Sequence, residues 1–288
     1  MSARLRRDQQ VGRLFAGANR FFGLPLASSV FLSRGRQEIG SAGASRIVAD
    51  VTEISAEQKV RLLRFVDVRY GYGVGLNRTT IEGADFDLTI KAARLTTSGV
   101  VDRRNDPFDP ARGWFTSASF ELSRPGLGSD LSFLSSFLQF FQFRPLPHGV
   151  VLASAARLGL ARTFRDETLI QSERFFGGGA TSVRGYFEDD LGPRSIFGDA
   201  DGGPALLIVN GELRFRVHGW LRGVGFVDLG NVYRTAGDVA LSSLQVGAGA
   251  GVRVDTPIGL LRLDAGVPIN PRVFDPKWRL HFGLGHAF

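Results

Sequence analysis

The sequence predicts an all-β chain: a transmembrane antiparallel β-barrel of about twelve strands with one long loop folded into its lumen. Three observations predict it. The 288 residues hold 37 Gly and 24 Phe but a single Met, a balance that suits strands and turns better than helices, where Gly is costly. Large apolar residues alternate with Gly and charged residues over segments of about nine to eleven residues, the length of a tilted membrane strand. Connections between segments are alternately long and short, as external loops and periplasmic turns are.

Composition sets the outer bounds. With no Cys there is no disulfide framework or thiolate site, and His148, His218, His281 and His286 show no paired ligand spacing, so neither a metal nor a cofactor is expected. No apolar run reaches the roughly 18 residues that a membrane helix needs. The 35 basic and 28 acidic residues leave a net charge of +7, which suits an anionic partner. Arg is scattered through strands and turns without a nucleic-acid motif, so the expected partners are outer-membrane lipid and lipopolysaccharide, and nucleic acid is not one.

Taken in order, residues 1–20 form a basic N-terminal segment expected to be disordered, and residues 21–288 form the barrel. Phe21 to Leu32 imitates the apolar part of a signal peptide, with Ala42-Gly43-Ala44 as a cleavage site. Arg34, Arg36 and Glu38 intervene, so no signal peptide is expected. Strands are centred near residues 28, 50, 69, 95, 118, 138, 156, 211, 227, 250, 264 and 283. Val66, Val68, Tyr70, Tyr72, Val74 and Leu76 oppose Asp67, Arg69, Gly71, Gly73, Gly75 and Asn77. Leu207, Val209, Leu213, Phe215 and Val217 oppose Asn210, Glu212, Arg214 and Arg216, and the even residues from Leu244 to Val254 oppose Gln245, Gly247, Gly249, Gly251, Arg253 and Asp255. At the end, Trp278, Leu280, Phe282, Leu284, His286 and Phe288 oppose Arg279, His281, Gly283, Gly285 and Ala287. One apolar and one Gly-rich charged face read as lipid outside and lumen inside.

The connections Arg162 to Ala205, Arg234 to Ser243 and Pro268 to Lys277 are long, whereas His218 to Gly219 and Thr256 to Gly259 are short. Arg103 to Gly113 falls on the short side without being short. A soluble two-sheet sandwich would account for alternation but not for this parity. The longest connection, Thr163 to Ala205, is too rich in Phe and Gly turns for a solvated linker, and a loop of about forty residues is rare unless functional. It is expected to fold into the lumen.

These residues resemble the bacterial surface antigen family, the outer-membrane assembly-factor barrels of the BamA and TamA type. Val183, Arg184, Gly185 and Tyr186 match that family's Val-Arg-Gly-Phe/Tyr lumen-loop motif. Asn210-Gly-Glu-Leu-Arg-Phe215, Gly225-Phe-Val-Asp-Leu-Gly230 and Gly249-Ala-Gly-Val-Arg-Val-Asp-Thr-Pro-Ile-Gly259 follow in order, with Asp106-Pro-Phe-Asp-Pro-Ala-Arg-Gly113 upstream and Phe288 at the end. Each is weak alone; together, over roughly residues 60 to 288, they are specific.

The resemblance implies that Arg184, at the tip of the inward loop, pairs with Glu212 and Asp228 on the inner wall. Strand parity agrees, because both carboxylates lie on faces assigned to the lumen, where Gly247, Gly249 and Gly251 would let the loop approach. It also implies a C-terminal recognition strand marked by Gly283 and Phe288, although Phe282 and His286 depart from the usual pattern. Relatives carry a signal peptide, periplasmic polypeptide-transport-associated domains and about four more strands. This chain is therefore either a shortened relative or the barrel part of a longer system.

The function expected is protein assembly or translocation, inserting or secreting client proteins at the bacterial outer membrane, with periplasmic domains or lipoproteins outside this chain as further partners. Weak pairing between a first strand at Leu24 to Leu32, bearing Pro25 with Gly23 beside it, and a last strand bearing Gly283 and Gly285 would open the seam. The alternative is a passive or structural barrel. An enzyme is not expected, since Ser154, Ser172 and the four His form no Ser/His/Asp arrangement that sequence can justify.

Overall fold

The computed structural model describes residues 10–20, 26–42, 45–81, 83, 85–164, 169–195, 198–257 and 259–288. They form thirteen antiparallel strands whose order in the sheet is their order in the sequence. These are β1 (Gln10–Ala18), β2 (Leu26–Ala42), β3 (Ser45–Leu63), β4 (Val66–Ile81), β5 (Asp87–Asp102), β6 (Gly113–Ser123), β7 (Phe133–Pro145), β8 (Val151–Thr163), β9 (Ala205–His218), β10 (Leu221–Tyr233), β11 (Gln245–Thr256), β12 (Gly259–Pro268) and β13 (Arg279–Leu284). The chain divides into two compact units.

The first unit comprises residues 1–99, 119–134 and 163–166. Its strand β1 places Gln10 to Ala18, within the N-terminal segment expected to be disordered, in the sheet, while residues 1–9 lie outside the described residues. Gln10 to Ala18 pair with β2 from Gln10↔Arg36 to Ala18↔Ser28, and Phe15 and Phe31 meet with ring centroids 5.1 Å apart. The scattered Arg did not prevent this, since Arg13 stands exposed while the backbone pairs. Among the described residues the count is thirteen, and the strand expected to be first lies between β1 and β3. A seam at Leu24 to Leu32 is thereby displaced. Gly23 and Pro25, and Gly43 and Ala44 of the cleavage-like stretch, lie outside the described residues.

Strands β2, β3, β4 and β5 run for 17, 19, 16 and 16 residues, longer than expected. Cross-strand ion pairs prolong the pairing past the apolar stretch: Lys59 meets Asp67 at 2.7 Å and Arg78 Nε donates to Asp87 at 2.9 Å. Ile54, Tyr70, Tyr72 and Leu76 stand exposed on the face assigned to lipid.

The second unit comprises residues 100–118, 135–162 and 167–288. Along β9, Val209, Leu213, Phe215 and Val217 are exposed while Asn210, Glu212 and Arg214 are buried. The same inversion holds for Val252 against Arg253, for Leu263 and Val267 against Arg262 and Asp264, and for Leu280, Phe282 and Leu284 against His281. Apolar residues outside and charges inside invert a water-soluble protein and match a membrane barrel wall.

The buried face is covered by the loop between β8 and β9. Val183, Tyr186 and Leu191 of the loop join Leu206, Ile208 and Val232 of the sheet in one apolar cluster, with Phe137 and Phe175 against it. Lower on the same unit, Phe141, Phe143, Ala153 and Ala155 pack with Phe115, Val151 and Phe288.

The last strand corrects a second expectation. Alternation places His286 and Phe288 with Leu284, but β13 ends at Leu284 and Gly285 adopts φ +76°. That left-handed turn, open to Gly without a steric penalty, breaks the two-residue period. His286 then reaches Asp109 at 3.0 Å, and the Phe288 ring lies 5.8 Å from that of Phe141.

Candidate functional site

Arg184 sits at the centre of the buried face, 1% exposed. Its Nε and Nη2 donate to Asp228 Oδ2 at 2.7 Å and Oδ1 at 2.9 Å, a bidentate fork that guanidinium geometry favours. Nη1 donates to Glu212 Oε1 at 2.7 Å and to Asp264 Oδ2 at 3.2 Å. Its backbone N–H also donates to Asp228 Oδ2, at 3.1 Å, and the guanidinium carbon lies 3.5 Å from the centre of the Phe226 ring. One loop side chain thus ties together three strands, β9, β10 and β12.

Register explains the convergence. Asp228 faces Asn210 and Gly247, Phe226 faces Glu212 and Gly249, and Asp264 faces Gly251 and His281. Asn210 Nδ2 donates to Asp228 Oδ1 at 2.8 Å and to the loop carbonyl of Ser182 at 2.6 Å. Glu212 also accepts from Arg214 Nε at 2.8 Å, and Arg253 pairs with Asp264 through Nη1 and Nη2. Three carboxylates buried side by side would repel one another; interleaved arginines make the assembly tolerable.

Glycine decides how closely the loop lies. A Cβ on Gly247 would come 2.0 Å from the Arg184 carbonyl oxygen, and one on Gly266 would come 2.6 Å from the Gly185 nitrogen. Gly249 and Gly251, expected to serve the same approach, are instead crowded by Ala265 and Asp264 of the neighbouring strand. Gly185 itself takes φ +99° and donates its N–H to His281 Nε2 at 3.0 Å. That acceptor role assigns His281 as the neutral Nδ1–H tautomer.

Tyr186 is fully buried. Its hydroxyl lies 3.2 Å from both the Val246 carbonyl and Asn270 Oδ1, while Asn270 ties down Val246 N–H and the Leu244 carbonyl. Burial, with the Asp275 charge adding to it, pushes its pKa up to about 12. It therefore remains a hydrogen-bond donor at any ordinary pH.

The structure brings Val183, Arg184, Gly185, Tyr186, Glu212 and Asp228 together in the loop and on the wall beneath it. Gly283 and Phe288 do not join a continuous strand: Gly283 pairs with Arg262 in β13, while Phe288 lies beyond the turn. Sequence reasoning missed Asp264, Arg253, Asn210, Phe226 and His281 as members of the cluster. Parity signals the charged ones, because Arg262 and Asp264 alternate with Leu261, Leu263 and Ala265, but their meeting with Arg184 depends on register.

A second polar cluster lies where the segment before β6 meets the chain end. Asp109 accepts from Arg222 Nη1 at 2.6 Å and contacts His286 Nε2 at 3.0 Å. The His286 hydrogen bond, and then Arg222, hold its carboxyl well below the usual carboxylate range.

The Omp85 superfamily domain matches residues 85–288. The outer membrane protein assembly factor BamA of Neisseria meningitidis is 28% identical over 213 residues, covering 62% of this chain and 26% of that protein. Outer envelope protein 80 of Arabidopsis thaliana chloroplasts is 37% identical over 121 residues, 39% of this chain and 15% of that protein. The chain thus spans about a quarter or less of these curated relatives. Among solved structures, BamA from Haemophilus ducreyi lacking POTRA domains 1–3 superposes with a TM-score of 0.84 at 17% identity, over 97% of this chain and 62% of that one. CdiB from Acinetobacter baumannii gives 0.60 at 14% identity, over 95% and 49%. The matched domain covers more than half of the chain, and the protein belongs to the Omp85 superfamily.

Proposed function

We propose that this chain is the membrane-embedded part of a factor that inserts or secretes client proteins at a bacterial outer membrane. One observation carries the reading: a forty-residue-scale loop, packed on the sheet, places one buried guanidinium among Asp228, Glu212 and Asp264 of three strands. A passive pore gains nothing from a plug anchored at such electrostatic cost, whereas an assembly barrel needs its interior held shut and its wall shape preserved while a client strand is handled. The assembly function in the printed name of the Neisseria relative supports the same reading. Clients are outer-membrane or secreted polypeptides, and upstream periplasmic domains or lipoproteins complete the system; the chain itself performs no bond chemistry.

The test is reconstitution of the chain into liposomes of outer-membrane lipid, followed by addition of an unfolded barrel protein. Client folding, read by gel mobility without heating, should be faster than in empty liposomes and slowed by Arg184→Ala. Folding no faster than in empty liposomes, with normal ion conductance, would favour a passive barrel.

A further inference from the structure

The lipid-facing side of the wall is not smooth. Across β6, β7 and β8 runs a crease of about 270 Å³, lined chiefly by Thr116, Ala118, Leu138, Phe140, Ala156 and Leu158. Ala118 and Ala156 fall short of the taller Leu138, Phe140 and Leu158, which leaves the room. The polar groups around it are satisfied elsewhere. The Thr116 hydroxyl donates to the Gln139 carbonyl at 2.9 Å, Gln139 Nε2 to the Ser117 hydroxyl at 2.8 Å, and Arg157 Nη1 to Asn210 at 2.9 Å. What the crease offers is hydrocarbon.

Strand β7 leads from the crease to the membrane surface. Leu138, Phe140 and Arg144 stand exposed while Phe141 and Phe143 are buried, so Arg144 shares the outer face with the crease. Six positions separate Leu138 from Arg144, about 20 Å of strand and, at a tilt of about 40°, about 15 Å of membrane depth. That is half of the roughly 30 Å hydrocarbon core. With Leu138 at mid-strand, Arg144 stands at headgroup level, at the end of the wall that carries the short turn at 146–150. Its guanidinium makes no ion pair or side-chain hydrogen bond among the described residues. Trp114 marks the same end of β6, opposite in parity to the inward Phe115, as aromatic residues do at a membrane interface.

We infer that β6, β7 and β8 hold one anionic phospholipid, with an acyl chain in the crease and the phosphate at Arg144. Continuity names the occupant. The crease is a recess in the face that already meets the bilayer, so a lipid chain is what enters it, and a chain seated there runs along β7 to the guanidinium. Charge then selects the headgroup. An arginine near the membrane surface favours a net anion about fivefold, and a zwitterionic headgroup brings its own ammonium to compete. The lipid belongs to the leaflet on the short-turn side. The inference rests on the lipid-facing wall and not on the assembly reading.

The experiment uses the full chain with Trp220→Phe and Trp278→Phe, which leaves Trp114 as its single tryptophan, its ring centroid 6.3 Å from that of Phe140. In phosphatidylcholine bilayers, brominated phosphatidylglycerol should quench Trp114 along a saturating curve, about fivefold ahead of brominated phosphatidylcholine. Arg144→Gln should remove the preference and keep the saturation. Ala156→Phe fills the crease from an exposed position and should leave only the shallow, unselective quenching of a smooth wall. Leu213→Ala, exposed on β9, should change neither. Equal quenching by the two lipids in the otherwise unchanged chain, or a preference that survives either Arg144→Gln or Ala156→Phe, overturns the site. Cross-linking of two copies through position 156 in these bilayers overturns it too, by assigning the crease to a second copy.

Discussion

Gly247 and Arg184 are in backbone contact: a methyl group on Gly247 would sit 2.0 Å from the Arg184 carbonyl oxygen. The loop is therefore seated by the absence of a side chain on β11 as much as by the charges around its arginine. Gly247→Ala must push the loop away from Asp228, and overpacking of this kind costs about 1–3 kcal/mol. Gly225→Ala, where a methyl meets nothing within 4 Å, is the matched control. Proteolysis within residues 164–204 should accelerate in the first variant and not in the second; equal rates would contradict the seating.

Arg184 is expected to resist replacement even by lysine. An ammonium group cannot span both Asp228 oxygens while reaching Glu212, and removing one partner of a buried pair typically costs about 3–5 kcal/mol because the remaining charges are stranded. Arg184→Lys and Arg184→Ala should both lower the temperature at which the barrel loses its heat-modifiable mobility on gels. Wild-type resistance in both would remove the lock.

The wall makes its own prediction through cysteine scanning in bilayers. Lipid-soluble reagents should label positions 280, 282 and 284, where Leu280, Phe282 and Leu284 are exposed, but not Arg279, His281 or Gly283. His286 should stay unlabelled, because the turn at Gly285 carries it to Asp109. Continued alternation through His286 would show that the strand runs on.

Asp109 supplies a pH test. Its pKa is depressed in the folded chain, so its contribution is complete above the ordinary aspartate value of about 3.9 and fades as pH falls below that value towards the folded one. Protection of residues 103–113 from an acid-active protease should therefore decline in that acidic window in wild type. Asp109→Asn should lack the protection throughout the protease's acidic working range, above the window as well as within it. A pH-independent wild type would exclude the Arg222 and His286 contacts as its source.

Much of this architecture is written locally. The two-residue period, the long and short connections and the Val183 to Tyr186 motif are properties of short stretches, and lipid on one side with charge on the other leaves little choice of register, since a one-residue slip would turn Glu212 and Arg214 into the membrane. Parity put Glu212 and Asp228 on the inner face for that reason, and the family resemblance implied them as partners of Arg184. Other features belong to the assembled structure. Asp264 and His281 reach the loop only because five strands align in one register, and β1 forms because β2 offers it a ladder that an isolated Arg-rich segment lacks. At the other end a single left-handed glycine reverses the side on which His286 and Phe288 fall. Periodicity reports which face a residue occupies; which residue it meets there depends on separations along the chain of 28 to 96 positions, a matter of three-dimensional register rather than of local pattern.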